Sequence, residues 1–160
     1  MIGANQIIFR TEPEGFVPRS EIVSCFAEHD GKILLLHRQD HKPQGNTWGV
    51  PAGKLEGGED LSTAMLRELR EETGIKLAES DLSYFDKVYV RYPNFDFIYH
   101  MFHTKLTNIP EVIINESEHK AYQLVSPEEA KVLPLILGEA ECITLFYGDS
   151  GISFKVQGTT

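Results

Sequence analysis

The chain has 160 residues, with 24 Asp and Glu against 15 Lys and Arg and a formal net charge of −9. That sign excludes a broad groove for nucleic-acid polymers, because phosphate backbones are held by Lys and Arg that displace condensed counterions. The length, with 41% hydrophobic and 24% charged residues, fits one globular domain over residues 1–160 and needs no second. Met1 to Arg10 lacks the basic start and apolar run of a signal peptide. No stretch approaches the ~20 apolar residues of a membrane helix, so the expected setting is soluble and cytoplasmic, with no membrane partner. Cys25 and Cys142 stand far apart, outside any CxxC or Cys/His spacing, and read as buried small apolar residues.

Along the chain, Glu21 to His29 and Lys32 to Arg38 are β-favouring runs joined by Asp30-Gly31, a dipeptide suited to the positive φ angles of a tight hairpin. Gln39 to Asn46 has loop chemistry and leads into a short strand within Thr47 to Pro51. Pro51 to Glu59 is a glycine-rich loop that could offer backbone groups to an ion. From Asp60 to Glu72 there are good helix formers without Pro or Gly, with Asp60 as cap and Gly74 as stop. Ser83 to Tyr92 and Phe95 to Leu106 form a second antiparallel pair turning at Pro93-Asn94. A loop over Thr107 to Glu118 precedes a strand at Lys120 to Val125. Ser126-Pro127-Glu128-Glu129 is a capping box that starts a helix, and another helix covers Glu139 to Tyr147.

The first helix carries the chemistry. With Leu61 at the origin and about 100° per residue, Ala64, Met65 and Leu69 form an apolar stripe. Glu68 and Glu72 lie within about 20° of that origin, so they point with the stripe toward the interior. Glu71 flanks it, while Arg67 and Arg70 fall on the solvent side. Desolvating an ionised carboxylate costs several kcal/mol unless it is paired or coordinated. A hard divalent cation, bound between a few carboxylates and a substrate's phosphates, removes that cost.

Gly53, five residues, Glu59, seven residues, Arg67-Glu68-Leu69, one residue, Glu71-Glu72, one residue and Gly74-Ile75 make a single pattern. It resembles the Nudix box, the signature of the Nudix hydrolases, with every defining position filled. Softer similarity extends to Leu35-Leu36-His37-Arg38, Trp48-x-x-Pro51 and Glu118-His119-x-x-Tyr122. The resemblance implies an α/β fold, an α/β/α sandwich around a mixed β-sheet with a loop–helix–loop metal site. It also implies cleavage of a pyrophosphate linkage in a nucleoside diphosphate joined to another moiety, by water attack at phosphorus with Mg²⁺ or Mn²⁺. Carried over residue by residue, the metal ligands are Glu68, Glu71, Glu72 and the main-chain carbonyl of Ala52. Many relatives have Gly where Ala52 stands, and Ala serves there unless its φ is positive. Arg67 positions the carboxylates, Glu59 ties loop to helix, and Glu68 or Glu71 is the base. Relatives often add a downstream glutamate, for which Glu118 fits best and Glu116 second, against the alternative of a solvated loop acid.

Selectivity is less legible. Arg38 could contact a phosphate or simply decorate a strand edge; Tyr92, Tyr99 and Phe95 could stack a base or belong to the core. His100, His103 and His119 read as packing or surface residues. Relatives acting on ADP-ribose often carry a proline where this chain has Arg91, and Pro93 comes slightly late. Relatives acting on dinucleoside polyphosphates often have a tyrosine near the position of Tyr92. Nucleoside triphosphates or their derivatives rank first as substrates, with dinucleoside polyphosphates and nucleotide sugars second. A non-catalytic nucleotide sensor would show erosion of the box, and no position is eroded. An isopentenyl diphosphate isomerase would need an active-site cysteine that is missing from the corresponding context. A homodimer is left open as the assembly.

Overall fold

The computed structural model describes residues 6–148. The expectation of one domain over residues 1–160 therefore extends at both ends outside the described residues. In chain order the strands are β1 (Ile8–Phe9), β2 (Pro18–His29), β3 (Lys32–Arg38), β4 (Trp48–Gly49), β5 (Ala52–Lys54), β6 (Ser83–Arg91), β7 (Asp96–Lys105) and β8 (His119–Val125). The helices are α1 (Leu61–Thr73), α2 (Pro127–Ala130) and α3 (Glu139–Tyr147). All the strands belong to one mixed sheet, with β2 parallel to β7 and the other pairs antiparallel.

The first hairpin turns where the sequence places it, with Asp30 and Gly31 at φ 55° and 78°. Its arms, however, pair only at Glu28↔Ile33 and His29↔Lys32 before they part. The chain from Trp48 to Lys54 fills the fork: β4 pairs with β3 at Leu36 and His37, while β5 pairs with β2 at Ile22 to Ser24. The short strand expected within Thr47 to Pro51 is Trp48–Gly49. One reading needs correction here: the glycine-rich loop begins with a strand, Ala52–Lys54. Three residues including a glycine carry no alternation to betray a strand; the open edge of β2 creates it.

Side chains alternate across the sheet, and each face is covered by helix. Val23, Cys25, Ala27, Leu34 and Leu36 pack with Ala64, Met65 and Leu69 of α1. Phe26, Ile33, Leu35, Val88, Val90 and Met101 pack on the opposite face with Ala130 of α2 and Cys142 and Ile143 of α3. This is the α/β/α sandwich implied by the resemblance. Cys25 and Cys142 are buried free thiols on opposite faces, as their isolation in the sequence suggests.

The expected caps are in place. The Asp60 carboxylate accepts from the Thr63 N–H, Gly74 closes α1 in the left-handed conformation, and Ser126 and Glu129 form a reciprocal capping box. That last box nucleates only a single turn, Pro127–Ala130, with Pro134 four residues beyond it. The strand expected at Lys120 begins one residue earlier, at His119. Among the described residues, no helix is long and apolar enough to cross a membrane.

Candidate active site

The fork between β2 and β3 opens into a cavity of about 560 Å³. Its wall includes Arg38, Ala52, Glu68, Glu71, Glu72, Tyr92, Tyr99 and Glu118, residues dispersed over 80 positions of the sequence. Glu68 is buried on α1, Glu72 is half-buried, and Glu71 stands at the rim with a 54% exposed side chain. The helical wheel therefore orders the three acids correctly.

Arg67 departs from its expected place. Arg70 is exposed, but the Arg67 side chain is only 14% exposed, folded back along the acidic edge. Its Nε and Nη2 donate to the two Glu59 oxygens at 2.6 and 3.0 Å. Nη1 reaches Glu68 at 2.8 Å and Glu71 at 3.2 Å, and Nη2 also donates to the Lys54 carbonyl at 3.1 Å. A wheel locates Cα directions, whereas a long guanidinium follows its partners. Glu59 also accepts from the Glu56 N–H at 2.9 Å, so loop and helix are joined through one carboxylate. Arg67, then the Glu56 N–H, hold the Glu59 carboxyl down at about 2.

Gly53 is required by Glu68. A Cβ on Gly53 would lie 2.0 Å from the Glu68 carboxyl carbon, so the carboxylate rests directly on the β5 backbone. One residue earlier, the Ala52 N–H donates to Glu72 at 3.1 Å. Ala52 is absent from the positive-φ residues, which are Asp30, Gln44 and Asn46 outside glycine, so alanine is unstrained there. Burial pushes the Glu72 carboxyl up to about 8, with the nearby Glu68 charge adding to the rise and the Ala52 N–H opposing it. Burial also raises Glu68, against the pull of Arg67.

Glu118 faces the same cavity, where Lys42 pairs with it at 3.0 Å; Glu116 is exposed and outside the cavity wall. Arg38 donates through Nε to the Pro43 carbonyl at 2.8 Å and, among the described residues, has no carboxylate within salt-bridge distance. The aromatic residues satisfy both readings at once. Tyr92, Phe95 and Tyr99 line the cavity and pack on the core, Tyr92 edge-on to Phe95 and Phe97. The Tyr92 hydroxyl donates to the Leu137 carbonyl at 2.9 Å and accepts from Gln44 at 3.3 Å, binding the 39–46 loop to the segment before α3.

His119 takes the packing alternative: it is buried, and burial, with Arg38 nearby, lowers its pKa to about 4. One cavity residue escapes the sequence reading. Glu139, at the start of α3, is buried in the cavity wall. An acid in a first helical turn ordinarily complements the helix dipole at the surface, so nothing in the local sequence distinguishes Glu139.

All the donors at the acidic end are oxygens, suited to a hard divalent cation. As they stand, no three His, Cys, Asp or Glu side chains among the described residues are gathered closely enough to hold a metal ion. Glu72 is turned to Ala52, Glu68 to Arg67 and Glu118 to Lys42. Arg67→Lys keeps the charge but cannot span Glu59, Glu68 and the Lys54 carbonyl together. Thermal denaturation of that variant is expected to show a melting point lower by about 2–4 °C.

Comparison with known proteins agrees with this architecture. The NUDIX domain profile matches residues 18–146. The CTP pyrophosphohydrolase of Escherichia coli (strain K12) is 31% identical over 128 residues, covering 79% of this chain and 90% of that protein. The ADP-ribose pyrophosphatase of Saccharomyces cerevisiae is 42% identical over 67 residues, which cover 40% of this chain and only 29% of that protein. In fold, the crystal structure of a MutT protein from Methanosarcina mazei Go1 is similar, with a TM-score of 0.70 at 24% identity over 81% of this chain and 93% of that one. A profile match across nearly all of the sheet and both helical layers, together with the long E. coli alignment, means that the chain belongs to the NUDIX domain family, as a hydrolase of pyrophosphate bonds.

Proposed function

We propose that this chain hydrolyses a pyrophosphate bond of a nucleoside triphosphate or a derivative of one, with Mg²⁺ as cofactor and Mn²⁺ as an alternative, in the cytoplasm. One observation carries the reading: a single cavity is lined both by the acids Glu68, Glu71, Glu72 and Glu118 and by the aromatic residues Tyr92 and Tyr99. The name of the long-matching E. coli relative, a CTP pyrophosphohydrolase, favours triphosphates over dinucleoside polyphosphates and nucleotide sugars.

The donor set fits a divalent cation. Glu68 and Glu72 are carboxylates whose burial and mutual repulsion disfavour the charged form, a cost that a bound cation would relieve. Glu68, Glu71, Glu72, Glu118 and the Ala52 carbonyl would hold it. When bound, it would supply charge neutralisation at the phosphates and acidify a water. Glu68 or Glu71 takes the proton of the attacking water as its oxygen bonds to phosphorus and the bridging P–O bond breaks. Arg67 keeps these carboxylates oriented, and Glu59 anchors Arg67 to the loop. Arg38, with no carboxylate partner among the described residues, binds a phosphate oxygen, and the aromatic wall takes the base.

The test is phosphate and pyrophosphate release from a panel of nucleoside triphosphates, dinucleoside polyphosphates and nucleotide sugars, with Mg²⁺, with Mn²⁺ and with chelator. Triphosphates should turn over best, and only with a divalent ion. Turnover undiminished by chelator would overturn the metal assignment. Tight calorimetric binding without hydrolysis of any panel member would make the chain a sensor.

A further inference from the structure

A chain of three titratable side chains lies outside the cavity, on the face of the sheet that also packs against α1. His100 on β7 is buried, and its Nε2 lies 2.7 Å from Glu21 Oε1 on β2. Its Nδ1 lies 2.9 Å from the Tyr84 hydroxyl on β6. An ionised carboxylate only accepts, so Nε2 carries the hydrogen. In the neutral ring Nδ1 is then an acceptor, and the phenol donates to it. Tyr84, His100 and Glu21 are thus joined in the order hydroxyl, imidazole, carboxylate, with each hydrogen directed toward the carboxylate.

The same connectivity activates the hydroxyl of a Ser-His-Asp triad, where the acid orients the ring and stabilises the imidazolium that forms. Here the parts are held in place. Ser24 Oγ donates to the His100 carbonyl at 2.9 Å, and the Tyr84 ring stands edge-on to buried Phe102 with centroids 5.3 Å apart. Tyr84 itself is 46% exposed. Burial, with the charges of Asp86 and Glu21 adding, raises its hydroxyl above the ordinary phenol range, so it rests uncharged and needs a base before it can attack. Lys87 lies directly opposite His100 across the β6–β7 pair, on the same face. It is exposed and, among the described residues, has no carboxylate within salt-bridge distance, whereas Asp86 is already paired with Arg10 at 3.0 Å.

We propose that Tyr84 is a nucleophile and a modification site that takes an acyl group from an acyl phosphate. His100 is its general base, Glu21 orients the imidazole, and Lys87 is the cation for the departing phosphate. Tyr84 Oη bonds to the acyl carbon, the carbon–oxygen bond to phosphate breaks, and inorganic phosphate leaves with the bonding pair. The phenol proton passes to His100 Nδ1, and the imidazolium, stabilised by Glu21, returns it to the phosphate or to water. An acyl phosphate brings its own good leaving group, so removal of the proton is the step that the protein must supply.

The full chain is incubated with acetyl phosphate, and O-acetylation of each tyrosine is followed by peptide mass spectrometry. Tyr122 is the internal reference: it is 44% exposed, nearly as open as Tyr84, and has no histidine partner among the described residues. Tyr84 should be acetylated faster than Tyr122 by about tenfold or more. His100→Gln should bring the two rates together. Because His100 is buried, Glu21→Gln, at a partly exposed position, supplies a second arm. There the ring loses its anionic partner and the Tyr84 rate should fall severalfold, with an unchanged melting temperature showing that the fold is kept. Equal acetylation of Tyr84 and Tyr122 in the wild type, or a Tyr84 advantage that Glu21→Gln leaves intact, would overturn the proposal. Lys87→Met should slow labelling by acetyl phosphate but not by uncharged p-nitrophenyl acetate, and equal effects on the two would refute the acyl-phosphate assignment. The assay contains no nucleotide, so its outcome is independent of the hydrolase reading.

Discussion

Glu72→Gln is expected to lower turnover by at least about a hundredfold while leaving the fold intact. The magnitude has a floor, because loss of groups that merely support metal ligands already costs 10- to 100-fold or so. Stability should hold because the amide oxygen can still accept from the Ala52 N–H, the one hydrogen bond Glu72 makes among the described residues. In metal-free protein the variant should even melt higher. Burial and the Glu68 charge both disfavour an ionised Glu72, and glutamine removes that charge. Phosphate release and thermal melting, measured on the same samples with and without Mg²⁺, check both halves. Added Mg²⁺ should raise the melting temperature of the wild type far more than that of Glu72→Gln. Wild-type turnover in the variant would remove Glu72 from the metal site.

What could be read from the sequence was whatever depends on local periodicity and capping. The apolar stripe of α1, the inward aim of Glu68 and Glu72, the Asp60 cap and the Gly74 stop are all local, and the structure has them. The Asp30-Gly31 turn is local too, since two positive φ angles define it. The parting of β2 from β3 is not, because it depends on β4 and β5 entering the fork from a distant segment. The same limit applies to the site. Glu68 and Glu72 were legible as an acidic pair facing the core, whereas the helical wheel put Arg67 on the solvent side and only the resemblance implied its hold on the carboxylates, which depends on where Glu59 and the Lys54 carbonyl lie. Glu139 joins the cavity only because the turn at Gly138, with φ 91°, seats α3 against Val50. An acid in a helix's first turn, here one of two with Glu141, gives no hint of that.

Gly53→Ala should impair the same chemistry from the backbone side. Gly53 pairs with Val23 in β5, and its φ is not positive, so alanine is conformationally acceptable there. The obstacle is steric. The new methyl would sit 2.0 Å from the Glu68 carboxyl carbon and 2.2 Å from each of its oxygens. A free glutamate would swing aside, but this one is buried and held by Arg67 at 2.8 Å. Displacing it breaks that ion pair, moves a carboxylate proposed to hold the metal and loosens the group that also carries Glu59 and Glu71. Overpacking of this kind costs about 1–3 kcal/mol of stability. A misplacement of about 1 Å at a reacting centre can cost on the order of a hundredfold in rate. Gly57→Ala is the matched control, since a Cβ there meets nothing within 4 Å and the φ is likewise not positive. With both variants assayed under saturating Mg²⁺, Gly57→Ala should work at close to the wild-type rate and Gly53→Ala about a hundredfold below it. Equal rates in the two would show that the contact between Gly53 and Glu68 does not set the position of a carboxylate on which turnover depends.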